Sequence, residues 1–154
     1  MLTLCWALWF GGIIMLLIGV MAVFKEFPLE QRTTAGKATA AMFRAYGFYE
    51  LAVASGALIA AVALRLMRPA KLRTALFALL AISALLAVVT TGVVTPNMET
   101  LRMAGEGTTD AFRKLHGQAM MLFSGRTVLL LIAGALLPWA VQTDGRDSRN
   151  SASS

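Results

Sequence analysis

The stretch Leu4–Phe24, LCWALWFGGIIMLLIGVMAVF, decides the fold, because it carries no charged residue at all. A helix needs about 20 mostly apolar residues to cross the hydrocarbon core of a bilayer, and this run supplies them. Three more segments read the same way. One is about Ala45–Leu64, inside a helical pattern that begins near Ala35. The next is Leu76–Thr95, expected to stop at Pro96, and the last is about Leu122–Val141, continuing a helix that starts near Thr109. None of them alternates apolar and polar residues, which excludes barrel strands. The first span has no basic leader and is longer than the roughly 7–15 apolar residues of a signal peptide, so it is expected as a retained helix.

The whole chain agrees with this reading. It has 154 residues, 58% hydrophobic and 14% charged, with a mean hydropathy of +0.70. Soluble domains carry about 25% charged residues, so a water-soluble globule is excluded. The net charge of +6 comes from bases that flank apolar runs, a membrane pattern rather than a nucleic-acid one. Cys5 is the single cysteine and makes no internal disulfide.

Short links imply antiparallel neighbours. The expected fold is therefore all-α, an integral membrane up-down-up-down four-helix bundle over residues 1–142 with a polar disordered tail at 143–154. Phe27-Pro28 makes a stiff exit from span one, Pro69 marks the second break, and Gly105-Glu106-Gly107 signals a turn before span four. Thr108 or Thr109 is expected to cap the last helix, with Asp110 in its first turn. The link holding Arg65, Arg68, Lys71 and Arg73 contains no acid and shares a face with both termini, which favours cytoplasmic termini. The two faces carry nearly equal numbers of bases, however, and the first helix, bare at its start and followed by Lys25, argues for the opposite orientation.

Glu50 and Arg126 do not belong in lipid. An ionisable side chain at the bilayer centre costs at least ~2.5–3.5 kcal/mol and normally faces protein or water with a partner. Both lie four or five residues inside their spans, roughly 6–8 Å deep at ~1.5 Å per residue. Matched depth predicts a pair, either a structural lock between helices or the heart of a proton or ligand site. Phe43, Tyr46, Gly47, Ala54, Ala57 and Ala61 share the face of Glu50, and the small residues among them admit a close neighbour. Thr90 and Thr91 reach a similar level on span three and are candidates for the remaining hydrogen bonds. His116, the only histidine, and Asn97 are expected to form the polar mouth of a cleft above the pair, and Arg44 to snorkel towards headgroups.

Met98, Met103, Met120 and Met121 fall near His116, and thioether with imidazole suits Cu(I); the alternative is that these methionines are packing filler. A haem held by two histidines of one chain is excluded, while a His–Met haem stays open. No cofactor is expected, and haem or copper is the alternative. There is no zinc motif, phosphate-binding glycine loop or Ser/His/Asp arrangement, so no catalytic residue is assigned. Trp6, Trp9, Trp139, Tyr46 and Tyr49 read as an interfacial aromatic belt.

Leu8-Trp9-Phe10-Gly11-Gly12, Ala35-Gly36 with Met42-Phe43, Thr95-Pro96-Asn97 with Leu101-Arg102, and Phe112-Arg113-Lys114-Leu115-His116-Gly117 carry a resemblance. Over roughly Leu4–Val141 the chain resembles bacterial four-helix membrane proteins with the domain of unknown function numbered 4149, related to eukaryotic transmembrane protein 205. The resemblance implies integral placement in a bacterial inner membrane and a four-span topology, with no established reaction. The family pattern places Ser three and Asn seven residues after the histidine, where this sequence has Ala119 and Phe123.

Three functions follow as expectations. The first is a non-enzymatic protein, structural or accessory to a membrane complex. The second is a small transporter or ligand-binding protein with a polar cleft, and the third a metal or haem protein. The expected partners are the lipid bilayer and other membrane proteins, not nucleic acid. Cysteine-accessibility mapping should place residues 1 and 142 on the same side of the membrane; opposite sides would overturn the expected topology.

Overall fold

A helix that is apolar on every face has no amphipathic stripe to direct its packing, so shape decides which side turns inward. The computed structural model describes residues 1–67 and 70–151, apart from the side chains of Leu29, Arg32 and 141–151. All its regular structure is helical: α1 (Leu2–Glu26), a short 3-10 turn (Leu29–Gln31), α2 (Arg32–Met67), α3 (Lys71–Val89), a π-helical segment (Thr90–Val94), α4 (Thr95–Met103) and α5 (Asp110–Ser151). Among the described residues four helices are long and apolar enough to cross a membrane: α1, α2, the continuous α3–π–α4 rod, and α5. The first packs on the second, the second on the rod, the rod on α5, and α5 returns to α1, which closes the bundle.

The buried positions form one narrow seam per helix. On α2, after Ala35 and Thr39 near its start, they are Gly47, Glu50, Ala54, Ala57 and Ala61; on α5, Phe123, Arg126, Leu130, Ala133, Leu137 and Ala140. Steps alternate between three and four residues, the spacing of knobs-into-holes packing. Small residues line the α2 seam and large ones face them, including Trp9, Ile13, Leu76, Leu80 and Leu130. The outward faces keep Leu8, Ile18, Phe48, Ile59, Leu85 and Leu131 exposed, an apolar exterior suited to lipid.

Pro96 does not end span three. A proline cannot donate to the carbonyl four residues back and its ring crowds that carbonyl. The chain widens into the π segment just before it, and the helix passes through to Met103. The true stop is Gly105, with φ of 80°, where Glu106 N–H bonds Leu101 O at 2.8 Å and Gly105 N–H bonds Arg102 O at 3.1 Å. These two bonds make a Schellman motif. Thr109 then caps α5, its hydroxyl accepting from Phe112 N–H at 3.3 Å. Asp110 in the first turn pairs with Arg113.

At the second link, Arg68 and Pro69 lie outside the described residues. The backbone of α5 continues to Ser151, through much of the stretch expected as a tail, and residues 152–154 lie outside the description. Arg73, expected as a loop charge, is instead buried, donating Nε to Ala140 O at 3.3 Å and tying the start of α3 to α5.

Trp6 and Trp9 depart from the expected aromatic belt. Trp6 donates to Leu130 O at 2.7 Å and lies so close to α5 that a Cβ on Gly134 would meet its ring at 2.1 Å. Gly134→Ala should therefore destabilise the bundle by about 1–3 kcal/mol, the usual cost of overpacking. Thermal unfolding in detergent checks this, and shrinking the ring with Trp6→Leu should make the glycine substitution milder.

Candidate functional site

Two seam positions hold charge instead of hydrocarbon. Glu50 on α2 and Arg126 on α5 come together with Nη1 to Oε2 at 2.9 Å, each side chain only 2% exposed. Burying ions is costly unless each is paired and hydrogen-bonded. The other carboxylate oxygen, Oε1, accepts the indole N–H of Trp9 on α1 at 2.8 Å. Trp9 is itself fully buried, so it belongs to the core and not to the membrane interface. Three helices thus meet on one carboxylate. The Arg126 guanidinium also lies over the Phe123 ring, 5.2 Å from its centroid.

Arginine is less well served than glutamate. Its Nε and Nη1 have no hydrogen-bond partner among the described residues; Nη1 reaches Glu50 at ion-pair distance without completing a directed bond. The Tyr46 hydroxyl is also buried and close enough to Glu50 to feel its charge, yet it completes no hydrogen bond of good geometry. Thr90 was a candidate for these bonds, but its hydroxyl donates to Leu86 O of its own helix at 2.7 Å. Thr91 packs against α2, where a Cβ on Gly47 would meet its side chain at 2.9 Å.

These groups line a cavity of about 100 Å³ bounded by α1, α2, the π segment, α4 and α5. Of the six residues expected in a cleft, Glu50, Arg126, His116, Thr90 and Thr91 line it; Asn97 is exposed on α4 and does not. Pro96 and the π segment explain this. The helix runs on instead of ending, so Asn97 occupies an outer face rather than a loop turned towards the mouth. Leu17, Ala40, Phe43, Ala119, Met120 and Phe123 supply apolar wall, and the rings of Phe43 and Phe123 meet edge to face at 6.5 Å.

The outer end of the cavity is a charged collar. Glu99 on α4 binds Arg44 of α2 at 3.0 Å and Arg102 of its own helix at 2.7 Å. Arg44 is therefore engaged with protein, not only with headgroups. Arg102 also sits over Phe112, which stacks on His116. Met98 and Met120 share the cavity lining with His116, whereas Met103 and Met121 do not line it. Among the described residues no group of three or more His, Cys, Asp or Glu is placed to hold a metal.

Sequence reasoning missed Trp9, the third member of the buried pair's shell. A signal existed: Trp9, Ile13 and Leu16 follow the same three-and-four spacing as the seams of the other helices.

A family model described as a domain of unknown function, DUF4149, matches residues 4–107. It takes in Trp9, Tyr46, Glu50, Thr90 and Thr91, and stops before α5 with His116 and Arg126. No curated protein and no solved structure matches the chain.

Removing one partner of a buried ion pair typically costs about 3–5 kcal/mol, because the other charge stays buried and uncompensated. Glu50→Gln or Arg126→Met alone should lower stability on that scale, and the double variant should recover much of the loss. A thermodynamic double-mutant cycle in detergent checks this; simple additivity would mean that the two charges are not coupled.

Proposed function

The chain belongs to the DUF4149 family, and from that premise we propose that this multi-pass membrane protein binds or passes a small ligand through the cavity above Glu50 and Arg126. The observation that carries the reading is a buried arginine that lines that cavity and whose Nε and Nη1 complete no hydrogen bond among the described residues. A lock between helices would serve best with every donor satisfied, since each unmet polar group in an apolar interior costs free energy. Donors left free beside a cavity are instead what a binding site needs: apolar walls with a few convergent polar groups.

The collar of Arg44, Glu99 and Arg102 supports the same reading. It places exchangeable ion pairs where a ligand would enter, on a helix joined to the bundle through a π segment, a local irregularity frequent at functional sites. A purely structural or accessory role would leave the cavity without a purpose. We place the protein in a bacterial inner membrane in up-down-up-down order, with both ends of the chain on the cytoplasmic side; the acid-free bases at the facing ends of α2 and α3, Arg65 and Lys71, favour that side.

Filling the cavity without touching its charges tests the proposal. Ala119→Phe should preserve the fold and remove whatever small molecule co-purifies with the protein in mild detergent. Mass spectrometry of organic extracts reads the difference. Identical extracts from both proteins would reject ligand binding at this site.

A further inference from the structure

We propose that the cavity receives a neutral amphiphile whose ring-sized head presents carbonyl oxygens, of which a quinone is the representative chemistry. The assignment rests on the ligand-binding reading above and names the class of ligand.

Charge balance comes first. Glu50 and Arg126 neutralise one another at 2.9 Å, each only 2% exposed. An entering carboxylate would stand beside Glu50, and an ammonium beside Arg126. In a low-dielectric interior either contact is strongly unfavourable. A ligand without net charge leaves the pair intact.

Hydrogen-bond polarity comes second. Arg126 and Tyr46 both line the cavity floor, and Arg126 Nε and Nη1 and the Tyr46 hydroxyl are buried there without a completed hydrogen bond among the described residues. Arginine is a donor only, so the matching ligand atom is an acceptor. Both oxygens of Glu50 already face Trp9 and Arg126, so the pull on a donor-bearing ligand is weaker. A carbonyl oxygen fits this floor.

Shape and wall chemistry come third. An engineered cavity of ~150 Å³ holds one benzene ring; this cavity, at about 100 Å³ and open at one side, takes the carbonyl edge of a ring head, with the rest of the ring and the tail outside. Phe43 and Phe123 offer ring surfaces, and Met98 and Met120 offer polarizable thioethers that suit flat apolar groups. Phe43 and Met120 are also exposed at the outside of the bundle, which gives an alkyl tail an apolar way out.

The test uses the full chain in detergent with three probes of equal tail length: a decyl-substituted benzoquinone, decanoate and decylamine. The quinone should raise the thermal unfolding midpoint saturably, and the two charged probes should not. Tyr46→Phe removes only a hydroxyl that lies close to Glu50 without completing a hydrogen bond of good geometry among the described residues, so the fold should tolerate it. Loss of one ligand hydrogen bond there should weaken quinone affinity about fivefold to tenfold. Ala119→Phe should abolish the shift, and Ala40→Leu serves the same purpose if the larger side chain prevents folding. Stabilisation by decanoate or decylamine equal to that by the quinone would overturn the neutral-ligand assignment while leaving the cavity a binding site. A quinone shift that survives both cavity-filling variants, or an affinity indifferent to Tyr46→Phe, also overturns the assignment. No shift with any probe, together with unchanged extracts from the cavity-filled protein, would remove the ligand-binding reading as well.

Discussion

The carboxylate of Glu50 is the point on which the bundle depends. Trp9 of α1 donates to one oxygen, Arg126 of α5 reaches the other, and α2 carries the residue itself. In water such contacts would be worth little, because each group could exchange its partner for solvent. Inside an apolar bundle no such exchange is available, so losing one partner exposes the full desolvation cost of the others. Hydrocarbon seams can slide by a turn with modest loss, since lipid is as apolar as the side chains that pack there. A buried ion pair cannot slide. It fixes the register of α2 against α5, and the indole fixes α1 against both.

Around that point the packing follows size. Small residues on the α2 seam let larger side chains from the neighbours approach, and glycines are needed at particular contacts. Gly134 gives Trp6 its place on α5, and Gly47 gives Thr91 its place on α2. The second contact also shapes the site. By bringing the π segment onto α2 just above Glu50, it forms one wall of the cavity. The irregular turn forced by Pro96 thus does two things, carrying the helix past a residue that should end it and placing two threonines beside the charged pair.

The spans were legible because transfer to lipid is governed by composition over some twenty residues, and four runs satisfy it without tertiary information. Glu50 and Arg126 stood out for the same reason, as charges in otherwise apolar runs. Trp9 did not, because an indole suits both an interface and a core, and only the presence of a carboxylate on another helix decides between them. Asn97 was misplaced because the response of a helix to an internal proline depends on whether a wider turn can be accommodated nearby. The Arg44–Glu99 contact lay beyond reach, since long charged side chains have several partners within range and sequence does not rank them.

A site built on a neutral pair has a consequence for selectivity. An arginine alone in an apolar cavity would attract any anion, including headgroup phosphates, and would be occupied permanently by the surrounding membrane. Pairing it with Glu50 cancels that attraction while leaving directional donors in place. Recognition then falls to hydrogen-bond geometry and ring shape, which discriminate among neutral compounds dissolved in the bilayer. The collar is different: Arg44 and Arg102 share the single carboxylate of Glu99, which leaves one positive charge in excess at the outer end. Charge neutrality at the floor therefore disfavours ionic competitors there without needing a tight steric filter. That allows the cavity to be small, apolar and open at one side, as it is.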